Sequence, residues 1–169
     1  MKLSEFMNAI TLKPDFKGII LADDYVLAIN ISGEEDTPPG EYEIVEQGLK
    51  TANGQLNPQE KTTAYIRKGQ QTTKTGTQRT FSLDMDRYIG DPAQDFFDSF
   101  GIKYGTGQDC VVDYVMINRI NGKGEKGKLS VIVNTDSSGA SEENSGISVD
   151  LKSAGVKPEE YQYTKSTDE

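Results

Sequence analysis

The sequence predicts a mostly β domain with one packed α-helix, and three observations carry that prediction. Apolar and polar residues alternate with period two through most of the chain. β-Branched residues concentrate in those alternating runs, where a pleated surface suits them. A single long segment carries the caps and spacing of a helix. The chain has 169 residues, of which 34% are hydrophobic, and 17 glycines. That is an ordinary globular composition sized for one domain.

The strands follow in order. Tyr25, Leu27, Ile29 and Ile31 alternate with Val26, Ala28 and Asn30. Tyr42 to Val45 is a short second candidate, followed by Thr62 to Ile66 and Thr77 to Met85, where Phe81, Leu83 and Met85 share one face. Cys110 to Ile117 and Lys128 to Val133 are the most strongly patterned runs, and Gly146 to Leu151 closes the set with Ile147, Val149 and Leu151 on one face. Strands of this length fit a β-sandwich or barrel within an α+β class.

The helix spans Asp91 to Gly101. Asp91 is its N-cap, Pro92 takes the first helical position, and Gly101 stands where a left-handed C′ residue would end it. Phe96, Phe97 and Phe100 form one apolar stripe to lay on the sheet. Leu3 to Ile10 is a candidate for a second, short helix.

Two stretches are polar and have no core face. Lys50 to Pro58 reads as a loop, with Asn53-Gly54 as its turn. Lys68 to Gly76 is rich in Thr and Gln and suits an extended ribbon with nothing of its own to bury. The organisation expected is one domain over 1–156, with polar loops near 33–58 and 67–78, then a flexible C-terminal arm over 157–169. Loops this large inside a compact domain need a reason, and ordering against a neighbouring subunit is one.

Absences exclude much chemistry. There is no histidine, so no Ser-His-Asp or Cys-His arrangement and no His-ligated metal site can form. The one cysteine, Cys110, beside Val111-Val112, reads as a small buried hydrophobe. No apolar run approaches the ~18 residues of a membrane span, and no signal-peptide pattern opens the chain. Asn30-Ile31-Ser32 matches a glycosylation sequon but lies in a strand pattern without secretory context.

Gly122-Lys-Gly124-Glu-Lys-Gly127 spells the dinucleotide fingerprint, yet a β run follows it where a helix is required. Asn121-Gly122 makes it a hairpin connection instead. Asp84-Met-Asp86 opens like a calcium loop, but Tyr88 and Ile89 stand where the loop needs Asp or Asn and then Gly. Asp84, Asp86 and Asp91 remain a cation candidate on paper. No catalytic, cofactor or metal residues are assigned, and an enzyme is not expected.

Charge is concentrated. The net charge is −9, from 27 acidic and 18 basic residues. Gly18 to Leu49 holds eight acids (Asp23, Asp24, Glu34, Glu35, Asp36, Glu41, Glu43, Glu46) and no Lys or Arg, so the rest nets 18 − 19 = −1. Such a balance does not suit coating nucleic acid. The segment reads either as a solvated loop around Pro38-Pro39 or as a surface that repels an anion.

Residues 60 to 152 carry a resemblance. Thr80-Phe-Ser-Leu-Asp-Met-Asp-Arg87, the helix start Gly90-Asp-Pro-Ala-Gln-Asp95, the strand Asp113-Tyr-Val115 and the Gly-rich hairpin Gly122 to Gly127 follow a Thr-rich ribbon. Together they resemble the major tail protein, or tail tube protein, of long-tailed phages infecting Gram-positive bacteria. The resemblance implies a β-sandwich-like domain with a flanking helix, forming hexameric rings that stack into a hollow tube. It also implies a long loop reaching the next ring, and DNA leaving the capsid through an acidic lumen without specific binding. Tape-measure and tail-tip or terminator proteins would be partners, no membrane would be involved, and assembly would take place in the host cytoplasm before the subunit enters the virion.

On that footing Lys68, Gln70, Gln71, Thr72, Thr73 and Lys74, with Asn53, Gln55 and Leu56, are inter-subunit loop candidates. Glu34, Glu35, Asp36, Glu41 and Glu43 are lumen candidates; that placement is inferred from charge, since the segment lies outside the matching stretch. Two other readings stand beside this one. The chain could form the inner tube of a contractile phage-like particle. It could instead be a monomeric β-sandwich decoration or adhesion module, docking through some of its eight tyrosines, of which Tyr161 and Tyr163 are the clustered pair.

Overall fold

A computed structural model of the protein describes residues 1–165. Helix α1 (Leu3–Asn8) buries Leu3 and Met7, one turn apart on one face, and the Glu5 carboxylate accepts from the Lys2 backbone N–H at 3.3 Å. Strands β1 (Tyr25–Ile29) and β2 (Glu43–Ile44) follow, then β3 (Leu49–Gln55), β4 (Pro58–Tyr65), β5 (Gly69–Thr77) and β6 (Thr80–Asp86). Helices α2 (Pro92–Asp98) and α3 (Phe100–Lys103) precede β7 (Val111–Asn118), β8 (Lys123–Ser138), β9 (Gly146–Ser153) and β10 (Glu159–Gln162).

The main sheet is antiparallel in the order β2-β1-β7-β8-β9-β6-β3, and β10 adds to the first part of β8. It curls into a half-barrel, so its two faces bury different things. The inner face carries Leu27 and Ile29, Tyr114, Leu129 and Val131, Val149 and Leu151, and Phe81 and Leu83, closed at one end by Ala93, Phe97 and Ile102 of the helices. The outer face is covered only at the β1–β7 end, where Val26, Ala28, Val115 and Ile117 meet α1, Tyr42 and Tyr163. The result is a mostly β fold with few helices.

Helix α2 begins as its sequence dictates: the Asp91 carboxylate accepts from the Gln94 backbone N–H at 3.0 Å, and Pro92 occupies the first turn. It does not run to Gly101. Ser99 is extended (φ −63°, ψ 144°) and its hydroxyl donates to the Phe96 carbonyl at 2.7 Å, so α3 starts on a new axis with Gly101 inside it. The break corrects the expected stripe. Phe97 is fully buried and Phe96 packs at the core's edge, but Phe100 is 77% exposed. Burying a Phe contributes about 1.5–3 kcal/mol, and Phe97 is where that gain is realised.

Three further expectations change. Lys50 to Pro58 is not a loop: most of it is β3, with Asn53 opposite Ser82 and Gly54 opposite Phe81. The Asn-Gly pair sits mid-strand because Gly54 makes room for the Arg79 guanidinium, 3.3 Å from where a Cβ would be. The Gly122 to Gly127 run is a connection only at its start. Gly122 closes the turn by donating to the Asn118 carbonyl at 2.8 Å, whereas Gly124 and Gly127 lie in β8. Residues 157–169 were expected as a flexible arm, yet Glu159–Gln162 pair with Lys123–Lys126 and Tyr163 is buried in the second core. Residues 166–169 of that arm lie outside the described residues.

Candidate functional site

Two exposed surfaces stand out among the described residues. β4 and β5 pair only with each other, and every residue of both is exposed except Thr63 and Gly76, which are half-buried. They continue the β3–β6 ribbon past a kink where Gln78 donates to the Leu56 carbonyl at 2.9 Å and Asn57, at φ 43°, reaches the Thr80 hydroxyl at 3.1 Å. An eight-residue strand at ~3.3 Å per residue carries the tip about 26 Å from the body. The candidates Lys68, Gln70, Gln71, Thr72, Thr73 and Lys74 all belong to this hairpin, from its turn up along β5. Asn53 and Gln55 instead lie in β3, and Leu56 at the hairpin's root is 54% exposed.

A two-stranded ribbon with nothing beneath it is marginal by itself. Its sequence suits a wet surface: Thr62 and Thr72 share a hydroxyl contact of 3.0 Å across the strands. Over 58–77 it carries Lys61, Arg67, Lys68 and Lys74 against Glu60 alone. Its turn exposes Tyr65 and Ile66, the latter 92% accessible.

The second surface is the outer face of β3, β6, β9 and the distal part of β8, which no element among the described residues covers. Register places Asn53, Ser82, Asp150 and Ile132 in one row across the four strands. The next row is Thr51, Asp84, Ser148 and Thr135, with the last two hydroxyls 2.8 Å apart. Short hydroxyl and amide side chains dominate these two rows, with Asp84 and Asp150 as their charges, so the wall is polar. Sequence pattern concealed it, because β3 lacked an inner apolar run.

The acidic segment divides into paired and unpaired residues. Glu43 binds the N-terminal ammonium at 2.8 Å with only 14% of its side chain exposed, and that hydrogen bond raises the ammonium's pKa. Glu41 pairs with Lys2, Glu35 with Lys128 at 3.4 Å, and Asp24 with Arg119 at 2.9 Å. The Asp24 carboxyl is held below the usual range, chiefly by the Leu21 backbone N–H and then by Arg119. Glu34 and Asp36 have no ion-pair partner among the described residues, and both are exposed. Asn30, the sequon residue, is buried and holds this loop: its amide donates to the Glu34 carbonyl at 2.7 Å and its oxygen accepts from Ser32 N at 3.0 Å. Lys128, on the outer face, ties the loop to the same side of the sheet as the uncovered wall.

The Asp84, Asp86 and Asp91 cation candidate is not brought together. Lys50 sits 3.7 Å from Asp84 and 3.0 Å from Asp86, while Asp91 caps α2. Among the described residues no group of three His, Cys, Asp or Glu could hold a metal ion. Cys110 is free and buried, its thiol 3.7 Å from the Ile102 carbonyl. Tyr161 and Tyr163 pack against the second core, so they are not a free docking pair. The exposed aromatic pair is instead Phe100 and Tyr104, ring centroids 4.7 Å apart. No described helix is long and apolar enough to cross a membrane.

Two buried polar devices escaped sequence reading. Gln94 is fully buried, donating to the Gln47 and Asp86 carbonyls and accepting from Tyr88 N at 2.8 Å. Arg79 donates to Glu125 at 2.7 Å, and Glu125 also accepts from the Tyr114 hydroxyl at 3.0 Å. The guanidinium stacks 4.4 Å over the Phe81 ring. These contacts join residues up to 47 positions apart, which local patterns do not encode.

No protein-family model and no curated protein sequence matches the chain. Solved structures do. A chain from the tail of an empty gene transfer agent particle, refined helically with C6 symmetry, is 16% identical over 86% of this chain and 100% of that one, with a TM-score of 0.57. A chain of the native gene transfer agent virion is 14% identical, covering 85% of this chain and 99% of that one, also at 0.57. The anti-feeding prophage cap, a tube-terminating cap, gives 9% identity, 89% and 96% coverage, and 0.54. The likeness covers 96–100% of the neighbours and 85–89% of this chain, at identities where only the fold is transferable.

Proposed function

We propose that this chain is a structural subunit of a phage-type tail tube, assembling with itself into stacked hexameric rings around a lumen through which DNA is ejected. The observation that carries this is the fold shared over 86% of this chain with a chain of a C6-symmetric particle tail. A protruding hairpin, free strand edges and an uncovered polar wall fit a subunit that completes itself against copies. A strand edge left unpaired is a liability for a monomer and a joint for a ring. On this reading the tube belongs to the virion of a long-tailed phage, is built in the host cytoplasm, and meets tape-measure and terminator proteins at its ends.

Passage of a duplex requires a wall that does not trap phosphates, because clustered Lys and Arg bind DNA through counterion release. The hydroxyl-rich wall of β3, β6, β9 and β8 fits that requirement, and among the acidic candidates Glu34 and Asp36, without ion-pair partners among the described residues, fit it better than Glu41 and Glu43, whose charges are neutralised locally. Ejection should slow when Glu34 and Asp36 are both changed to Lys, with tubes intact. Unchanged ejection would move the lumen elsewhere.

Negative-stain microscopy of the purified protein at high concentration, with sedimentation alongside, tests the class itself. Hollow tubes support the proposal. A particle that stays monomeric even with tail-tip complexes added would refute it. The likeness to the anti-feeding prophage cap supports a second reading, a ring that caps or lines the tube of a phage-like particle. Single rings that never extend would favour it.

A further inference from the structure

The half-barrel does not close. β2 pairs with Ala28 and Ile29 of β1 and the next residue, Val45, donates its N–H to the Leu27 carbonyl at 2.9 Å, which leaves Tyr25 and Val26 without a strand partner on that side, and the far edge of β3 is free. Between these edges lies a cleft of about 410 Å³, lined by Tyr25, Leu27, Leu49, Ala52, Phe81 and Met116. The small residues of β3 keep it open, and Arg79 and Gly54 mark its end at the root of the hairpin.

We propose that this cleft receives the hairpin tip of a second copy, Tyr65 and Ile66 entering between β1 and β3. The chemistry of the two surfaces is complementary. The tip is apolar and exposed, flanked by Arg67 and Lys68; the cleft is lined mainly by apolar side chains, its one lining cation Arg79 is paired with Glu125, and Asp23 and Glu46 adjoin the lining residues Ala22 and Val45 in sequence. None of Arg67, Lys68, Asp23 and Glu46 has an ion-pair partner among the described residues. Burial of an apolar anchor in a desolvated pocket with charges at the rim is how a small interface gains affinity.

The occupant must be another copy. The cleft ends at the hairpin's own root, and the extended ribbon places the tip about 26 Å along the strand from it. Root cleft and tip are different surfaces, so the contact is heterologous and repeats from copy to copy. This inference rests on the tube-subunit reading and specifies which surfaces meet.

Cysteine pairing tests it. In a Cys110→Ser background, Ile66→Cys protein is mixed under mild oxidation with Ala52→Cys, with Tyr25→Cys, or with Asn53→Cys. Asn53 lies beside Ala52 on β3 but faces the opposite side, and Tyr25 gives a second cleft position should Ala52→Cys fold poorly. The expected result is about tenfold more mixed disulfide for positions 52 and 25 than for 53, because docking raises the effective concentration. Equal yields, or no mixed disulfide, overturn the inference. Tubes seen by microscopy without the preference refute this contact alone; the preference without tubes or rings refutes the tube reading alone.

Discussion

Gly124 and Met116 meet so closely that a Cβ on the glycine would stand 1.8 Å from the Met116 carbonyl oxygen. The contact lies where β8 begins to pair with β7, with Gly124 opposite Ile117. Here the glycine is required by a strand crossing its neighbour at short range, not by a phosphate. Gly124→Ala must shift backbone and should cost roughly 1–3 kcal/mol or more, as overpacking does. Gly101, helical and open to solvent with nothing within 4 Å of a Cβ, is the contrast. Gly101→Ala should stabilise by about 0.5–1 kcal/mol. Denaturant midpoints of the two variants check both signs.

What the sequence could disclose was whatever periodicity and capping encode. β6 and β9 alternate because each buries one side, β1 and β7 are apolar on both faces because each is covered on both, and Asp91-Pro92 starts α2 by local hydrogen bonding. β3 was illegible for the opposite reason. Its outer residues are bare, its inner ones are Ala52 and Gly54 beside an open cleft, and an edge strand with no core to face looks like a loop. β10 was hidden likewise, since its stability comes from the backbone of β8 and from Tyr163 in a core assembled from distant segments. The end of α2 was misplaced because Gly101 resembles a stop signal, whereas the Ser99 hydroxyl imposes the break two residues earlier.

The Arg79–Glu125–Tyr114 network has its own consequence. Arg79 keeps 11% and Glu125 27% of their side-chain exposure, so each is largely removed from water. Glu125→Ala leaves the guanidinium and the Tyr114 hydroxyl without their acceptor, and should cost roughly 3 kcal/mol. Replacing both charges, as Arg79→Met with Glu125→Leu, should recover part of that loss, because the pair's desolvation disappears with it. A double-mutant cycle on thermal or denaturant midpoints measures the difference. Additive losses would show that the two residues act independently.

Stability should also fall at alkaline pH, through tyrosine. Burial pushes the Tyr42 phenol up to about 12, and Tyr114 is raised by burial first, then by the charge and hydrogen bond of Glu125. Unfolding returns both to about 10. A folded pKa above the unfolded one favours the protonated form in the folded state. The stabilisation is therefore complete below pH 10 and is lost as pH rises from about 10 toward 12. Denaturant midpoints should hold level up to about pH 10 and then drop, with up to one proton released per tyrosine on unfolding. Tyr114→Phe removes one titrating group and should flatten that drop while leaving the acid limb unchanged. The acid limb has the reverse sign, because Asp24, Asp86 and Asp136 are each held low by hydrogen-bonding partners, Leu21 N–H, Asn144 and Lys103 first among them. Their contribution is present above about pH 4 and disappears as pH falls through their lowered values. An alkaline limb equally steep in Tyr114→Phe would assign the transition to other groups.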